Sequence, residues 1–408
     1  MQHRRSVLID QQKFRTYDPS QMNTHPAPSW VTYWSLMLGN FVVGVGVLMP
    51  AGLLNELSSA FSQDAATTGK LIGYGAALLF IEAPLLAFLT NKMDRRWLLT
   101  GALAVYAVGH FASAFAPSFN ALMIARLLMI GGAAAFTPQA ASAISLLVPP
   151  ERRATAVAFI FLGWPTALAV GVPLASLMGA YVGWSTAYLI VGAVCSVATL
   201  AVFASLPNRL FAPRLSLAMW GRMLTSGKIL AILLVTMIFI AGQFTVYPYL
   251  AVELKTHFNA APTTISLLFA VYGISGVVGS IVSSRVIGRI GASATVTAHL
   301  AVVLTGLMLW AVGTGYLFIA VVGLVIWGYG GGPAISGQQA RLITADPDSA
   351  SASVALNSSV LYAGQAAGTL IGGELLSRGL LSWNGEVASV LLIIALGVSL
   401  SVRRWMQA

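Results

Sequence analysis

Charge is what this sequence has least of. Only 8% of its 408 residues are Asp, Glu, Lys or Arg, where a soluble domain carries about 25%. So few charges exclude a water-facing surface of ordinary make-up. Cysteine is almost absent: Cys195 stands alone, which excludes an internal disulfide and a cysteine-built metal cluster. The usual marks of catalysis are missing as well, with neither an HExxH zinc helix nor a GxSxG nucleophile elbow in the chain. Gly221 to Lys228 approaches a phosphate-binding loop, but it has one residue too many between its glycines and sets Ile229 where Ser or Thr must hold magnesium. No metal, cofactor or enzymatic activity is therefore expected. The first 29 residues lack an apolar core ahead of a small-residue cleavage site, so they read as a disordered tail rather than a signal peptide.

What the chain has in abundance is apolar runs, with 57% hydrophobic residues. A helix needs about 20 mostly apolar residues to span hydrocarbon. Runs of that kind begin near Trp30, Thr67, Trp97, Phe119, Ala154 and Trp184, and again near Ile229, Thr263, Ala292, Tyr316, Ser349 and Trp383. The pattern predicts an all-α integral membrane protein of twelve transmembrane helices. Its units are a tail (1–29), a six-helix bundle (30–206), a linker (207–227) and a second six-helix bundle (228–404). Within the linker, Leu215, Met219, Arg222 and Met223 mark out a short interfacial helix with Trp220 at headgroup depth, or else a plain basic linker.

The net charge of +10 raises the question of nucleic acid. Its distribution answers it, because Lys and Arg fall in short clusters between apolar runs rather than on a basic face interleaved with aromatics. Of the 22 basic residues, 18 fall on one side if the amino terminus is cytoplasmic. Positive-inside sorting then predicts an inner, plasma-type membrane location with both termini cytoplasmic. Shifting the first half by about 198 residues superposes the two sets of spans, the parallel-repeat plan that puts a solute site near the midplane between repeats. The expected partners are a small solute, protons and lipid, with no nucleic acid, and the chain is expected to act as a monomer.

Several segments carry a resemblance. Ala83 to Arg96 ends in Asn91-Lys92-Met93-Asp94-Arg95-Arg96; Arg126 precedes Gly131 and Gly132; Gly163 precedes Gly171-Val172-Pro173; Phe244 to Leu250 reads FTVYPYL; and Asn357 precedes Gly364, Gly368 and Gly372. Together they resemble the drug:proton antiporter branch of the major facilitator superfamily, close to the sugar and arabinose efflux permeases, over about Trp30 to Arg404. The resemblance implies a secondary transporter that exports a small organic solute in exchange for protons. Uptake or facilitated diffusion is the alternative, and a receptor on the same fold a further one. The sequence departs from the family at four places: Asn91 stands where Asp is usual, Asp94 and Ala87 where Gly is usual, and Val47 where the efflux family has an acid.

Candidate residues follow. Glu82 lies nine residues before Asn91, about 13 Å from that end of its span, and a carboxyl group at such depth suits proton exchange; the alternative is a carboxylic acid hydrogen-bonded between helices. Arg126 lies about 10 Å inside its span, where a guanidinium usually marks a pathway or a paired site. Glu82 and Arg126 are expected to handle protons. Asn40, Trp164, Gln243, Tyr247, Tyr249, Gln338, Asn357, Tyr362 and Gln365 supply polar groups for a solute, although bonding between helices explains each singly just as well. Asn91, Lys92, Asp94, Arg95 and Arg96, with Arg285 and Arg289 in the second half, are expected to gate by binding the negative ends of neighbouring helices. Positive-inside sorting is the competing explanation for them. Gly163, Gly171 and Pro173 let the fifth span bend and pack closely; the resemblance implies a gating role that limits leak in exporters, and a plain packing kink is the alternative. Glu253 and Glu374, near helix ends, are expected at the interface.

Overall fold

The computed structural model describes residues 28–211, 224–346 and 350–407. Among them, eleven helices are long and apolar enough to cross a membrane: α1 Trp30–Gly52, α2 Ala65–Leu89, α3 Arg95–Ala114, α4 Phe119–Leu147, α5 Pro150–Val182, α6 Trp184–Ser205, α7 Gly227–Phe258, α8 Pro262–Ile290, α9 Ala292–Gly315, α10 Leu317–Ala345 and α12 Leu381–Met406. The helix α11, Ala350–Ser377, completes the twelve. It is long enough to span but more polar, because Asn357, Gln365 and several serines interrupt its apolar run. The expected interfacial helix with Leu215, Met219, Trp220, Arg222 and Met223, like most of the amino-terminal tail, lies outside the described residues.

Helix starts follow local chemistry. Ser29, Asp64, Asp94, Ser118 and Ser226 each accept a hydrogen bond from a backbone N–H in the first turn of the helix that follows, satisfying donors that have no partner within the helix. Three junctions require glycine: Gly183 between α5 and α6 has φ 95°, Gly291 between α8 and α9 has φ 81° and Gly379 between α11 and α12 has φ 74°, a region that side chains disfavour.

The helices α1–α6 and α7–α12 pack as two sets of six. In the second set, Gly364, Gly368 and Gly372 of α11 sit directly on the carbonyls of Met237, Ala241 and Thr245 of α7. Small residues at four-residue spacing let these two backbones approach, which matters in lipid because no hydrophobic force drives helices together there. In the first set, Gly163 and Gly171 of α5 do the same against Met37, Phe41 and Val45 of α1. The α5 helix is not uniform: a π-type turn, Ala167–Gly171, precedes its last segment, Val172–Val182. Gly163 and Gly171 thus close α5 on α1 inside one half. The Pro173 carbonyl reaches the other half, accepting from Ser266 Oγ of α8 at 2.8 Å.

Close contacts between the halves gather at the end opposite the basic loops. Asn55, in a short extension of α1 (Leu54–Ala60), donates through Nδ2 to the Ala251 carbonyl of α7 at 3.2 Å. Gly273 of α8 lies on the backbone of Leu168 and Ala169. Tyr249 is seated against Gly69 of α2 and against Gly372 and Gly373 of α11, and its hydroxyl donates to the Thr369 carbonyl at 2.8 Å. Pro248 makes this seating possible. It removes a backbone donor, and α7 passes through a tight turn, Tyr247–Tyr249, before continuing as Leu250–Phe258. Tyr249 is therefore part of a seal between halves, where the sequence had set it among the solute ligands.

Candidate functional site

The first half is built around Arg126. Its guanidinium is 1% exposed, and among the described residues no carboxylate pairs with it. Its Nε donates to the Leu71 carbonyl of α2, Nη1 to Gly46 of α1 at 3.0 Å and Nη2 to Val47 at 2.8 Å. Proline chemistry explains the choice of Gly46. Pro50 lies four residues on inside α1 and has no N–H, so the Gly46 carbonyl has lost its helical donor and the guanidinium replaces it. Val47, where an acidic side chain was expected from the family pattern, contributes a backbone carbonyl instead. Tyr106 of α3 donates to the Val43 carbonyl at 3.1 Å on the same α1 surface. A Cβ at Gly46 would overlap both Tyr106 and His110.

His110 is buried with Tyr106 edge-on at 4.8 Å, and neither of its ring nitrogens has a hydrogen-bond partner. The hydroxyl of Tyr188, whose ring is 5.7 Å away, is buried and unpartnered too. Such groups are rare in folded proteins, and here they cluster beside the Arg126 guanidinium.

Glu82 stands apart from Arg126. Gly75 of α2 faces the Arg126 side chain, and Glu82 lies seven residues, about 10 Å, further along the same helix. Its carboxylate rests against Gly131 of α4, where a Cβ would come within 3.4 Å of Oε2, and Oε2 has no partner. The two proton-handling candidates thus share the α2–α4 seam without forming an ion pair.

The second half offers amides and aromatics. Gln243 of α7 accepts through Oε1 from Trp327 Nε1 of α10 at 3.0 Å and from Tyr272 Oη of α8 at 3.5 Å. Tyr272 lies 4.9 Å from Trp327 and 5.2 Å from Tyr247, centroid to centroid, and Phe269 is 5.7 Å from Tyr247. These rings form a box around Gln243, in which the buried Tyr247 hydroxyl has no partner. Gly331 keeps α10 clear of the Gln243 amide. The sequence pointed to Gln243 and Tyr247 but missed Trp327, Tyr272 and Phe269, because periodicity tells which residues share a helix face and not which helices meet. Gln365 lies one turn from Thr369, which packs on Gly73 of the other half; its Nε2 is buried without a partner. Tyr362, half-buried on α11, lies within electrostatic range of Tyr106 across the divide.

Other candidates have partners within the protein. Gln338 is fully buried and binds the Ile232 carbonyl and Thr236 of α7. Asn357 accepts from Thr236 Oγ1 at 2.7 Å. Asn40 donates to the Leu36 carbonyl at 3.3 Å and leaves Oδ1 unpartnered. Trp164 of α5 packs on Gly44 of α1. Arg341, counted from sequence among the basic residues of the membrane face, is wholly buried and bonds Ser293, Gln338 and Ser399.

Glu253, expected at the interface, is 2% exposed and takes hydrogen bonds from Trp310 Nε1 at 2.6 Å and Asn384 Nδ2 at 3.1 Å. The turn at Pro248 carries it inward between α9 and α12. Glu374 remains exposed, paired with Arg378 at 2.6 Å.

The basic loop after α2 grips its own half. Arg95 Nη1 donates to the Thr90 carbonyl at 3.1 Å, at the negative end of α2. Arg96 Nη1 donates to Asn208 Oδ1 at 2.7 Å and its guanidinium lies 4.2 Å from the Phe203 ring centroid. Asp94 caps α3 and accepts from the Arg209 and Leu210 backbone at 2.7 and 3.3 Å. It serves the start of the linker rather than replacing the carboxylate missing at Asn91. Lys92, Arg285 and Arg289 are exposed and make no hydrogen bond or ion pair with a described residue. Among the described residues, the polar contacts of the loop reach the end of α2 and the start of the linker and none reaches the second half.

Comparison with known proteins agrees with this architecture. The sequence profile described as Major Facilitator Superfamily matches residues 36–369 and again 232–404. The Inner membrane transport protein YdhP of Escherichia coli (strain K12) is 27% identical over 255 residues, covering 62% of this chain and 66% of that protein. The match thus spans just under two thirds of the relative's length. The human organic anion transporter MFSD10 (TETRAN) superposes with a TM-score of 0.69 at 17% identity, over 90% of this chain and 98% of that one. A D-xylose-proton symporter gives 0.74 at 14% identity, over 91% and 97%. A bacterial homologue of the human lysosomal transporter Spinster, inward-facing and unoccupied, gives 0.71 at 15% identity, over 91% and 96%. At these identities the structures share the fold. With twelve helices in two packed sets and a family profile that covers most of its length, the chain belongs to the Major Facilitator Superfamily of membrane transporters.

Proposed function

We propose that this transporter exports a small organic solute across an inner membrane in exchange for protons, by alternating access. The basic loops mark the cytoplasmic side, and the inner-membrane relative supports that location. On this reading the seal around Tyr249 closes the outer end, and the structure is the inward-open state. The observation that carries the coupling is Glu82: a carboxylate lodged between α2 and α4 with one oxygen unpartnered, a group that can exchange a proton as the seam opens and closes. Arg126 joins α4 to α1 and α2 through carbonyls alone, so movement of α1 is felt at the same seam. The box of Gln243, Tyr247, Tyr272 and Trp327, with Gln365 and Asn357 on α11, receives the solute. An apolar site with a few convergent polar groups is how small ligands are oriented.

One observation favours a second reading, facilitated diffusion. Arg126 has no acidic partner, and Val47 supplies none. The experiment that separates them is counterflow in proteoliposomes under an imposed pH gradient. An exchanger is driven by the gradient and Glu82→Gln removes the response, whereas a facilitator ignores the gradient with or without that substitution. An unchanged gradient response in Glu82→Gln would contradict the assignment of Glu82.

A further inference from the structure

One chain of hydrogen bonds in the second half has a single direction. It starts at Arg341 of α10, whose guanidinium can only donate. Nη1 gives a proton to Gln338 Oε1 at 3.4 Å. The other end of the Gln338 amide is fixed by the backbone, because Nε2 donates to the Ile232 carbonyl at 2.9 Å, and a carbonyl can only accept. Nε2 also donates to Thr236 Oγ1 at 3.1 Å. Having accepted there, Thr236 has one proton to place. Two acceptors are in reach, the Ile232 carbonyl at 3.5 Å and Asn357 Oδ1 at 2.7 Å. The second is the usual length of a hydroxyl-to-oxygen bond and the first is at the limit. The Asn357 oxygen is thereby taken as an acceptor, and its Nδ2 faces away with no partner although the residue is 0% exposed. A buried amide donor left without an acceptor is destabilising, so the arrangement is retained only if something else accepts the hydrogen bond.

We infer that Arg341, Gln338 and Thr236 form a one-way relay that presents Asn357 as a hydrogen-bond donor, so that the solute bears an acceptor oxygen, such as a carboxylate or hydroxyl, at that point. The inference rests on the reading of Asn357 as solute-facing. It adds the polarity of the contact and names Thr236 as the positioning residue, with Gln338 and Arg341 behind it. Ser399 and Ser293 hold the far end, receiving Arg341 Nη1 at 3.2 Å and Nε at 3.0 Å. No carboxylate among the described residues pairs with Arg341, so nothing at that end reverses the direction. A site built from donors rejects a ligand that brings another donor, because two like groups are then buried against each other.

The test uses two probes with the same ring and opposite head groups, benzoate (acceptor only) and benzylammonium (donor only). Their binding to the purified full-length protein is read from the shift of its thermal unfolding with probe concentration. Wild type is expected to bind benzoate at least about tenfold more tightly than benzylammonium, a difference on the scale of one hydrogen bond. Thr236→Val keeps the side-chain shape but frees the Asn357 amide, and should cut that ratio by about fivefold or more; Thr236→Ser restores it. Gln338→Leu breaks the relay one step earlier and gives the same loss if Thr236→Val proves unstable. Asn357→Asp turns the donor into an acceptor and should reverse the preference. If Thr236→Val and Gln338→Leu keep the wild-type ratio while Asn357→Asp reverses it, the relay is wrong and the site stands. If no substitution at Asn357 alters the ratio, or wild type shows no preference, Asn357 does not meet the solute and both readings fall.

Discussion

The two halves of this transporter share a fold and divide its chemistry. In the first half the ionisable groups have few partners or none that are charged: Glu82 lies against Gly131, Arg126 on the carbonyls of α1 and α2, and His110 beside Tyr188 with no partner for either nitrogen. The second half gathers amides, hydroxyls and rings around Gln243, while Glu253 and Arg341 are turned inward into hydrogen-bonded packing. The difference teaches that duplicated bundles can be specialised without changing their helices. On the proposed reading, one half exchanges protons, the other recognises a solute, and the sealed end transmits movement between them.

Substitutions can break this division in order of expected effect. Arg126→Leu should be the most damaging. It removes three carbonyl contacts and leaves the Gly46 carbonyl, already deprived of a donor by Pro50, unsatisfied at a cost of about 1–3 kcal/mol. Gradient-driven transport should fall by about a hundredfold, alongside a lower unfolding temperature measured on the purified protein. Gly69→Leu comes next. It fills the seat of Tyr249, and overpacking of this kind costs roughly 1–3 kcal/mol. That energy is lost only in the sealed form, so distances between labels at the outer ends should lengthen. Gln243→Leu should weaken solute binding by about tenfold, the scale of one hydrogen bond, and leave the overall fold unaltered by circular dichroism.

The smallest effect concerns pH. Burial against α5 near Gly179 holds the Glu56 carboxyl above its usual 4.5, although Lys255 of α7 acts in the opposite sense. Opening the sealed end exposes Glu56 and returns it towards the usual value, so the sealed form binds the proton more tightly. Its population therefore rises as pH falls through the raised value and declines as pH rises above it. Spin labels on Ser59→Cys and Ala261→Cys, with Cys195 buried and unreactive, would follow this as a pH-dependent distance distribution. Glu56→Gln should flatten it.

Much of the fold was legible because hydrocarbon imposes a length and a composition on every span. Eleven of the twelve helices begin within two residues of the starts read from the apolar runs, and α5 begins four residues earlier, at Pro150 rather than Ala154. The depth of Arg126 was legible too, and so in principle was its partner, since Pro50 stands four residues after Gly46 in plain view. What sequence could not supply was which helices meet. Trp327 and Tyr272 join Gln243 from α10 and α8, and nothing in their local pattern distinguishes them from membrane-belt aromatics. Arg341 read as one more basic residue of the membrane face because charge counting carries no burial. Glu253 read as interfacial from its place near a helix end, until the turn at Pro248 carried it into the bundle.

The most direct test of the division between halves is proton release on solute binding, measured in weakly buffered detergent solution with a solute found by thermal-shift screening. The account predicts that wild type releases protons as solute binds, that Glu82→Gln still binds solute but releases none, and that Gln243→Leu loses binding and release together. Undiminished proton release from Glu82→Gln at equal solute occupancy would contradict it.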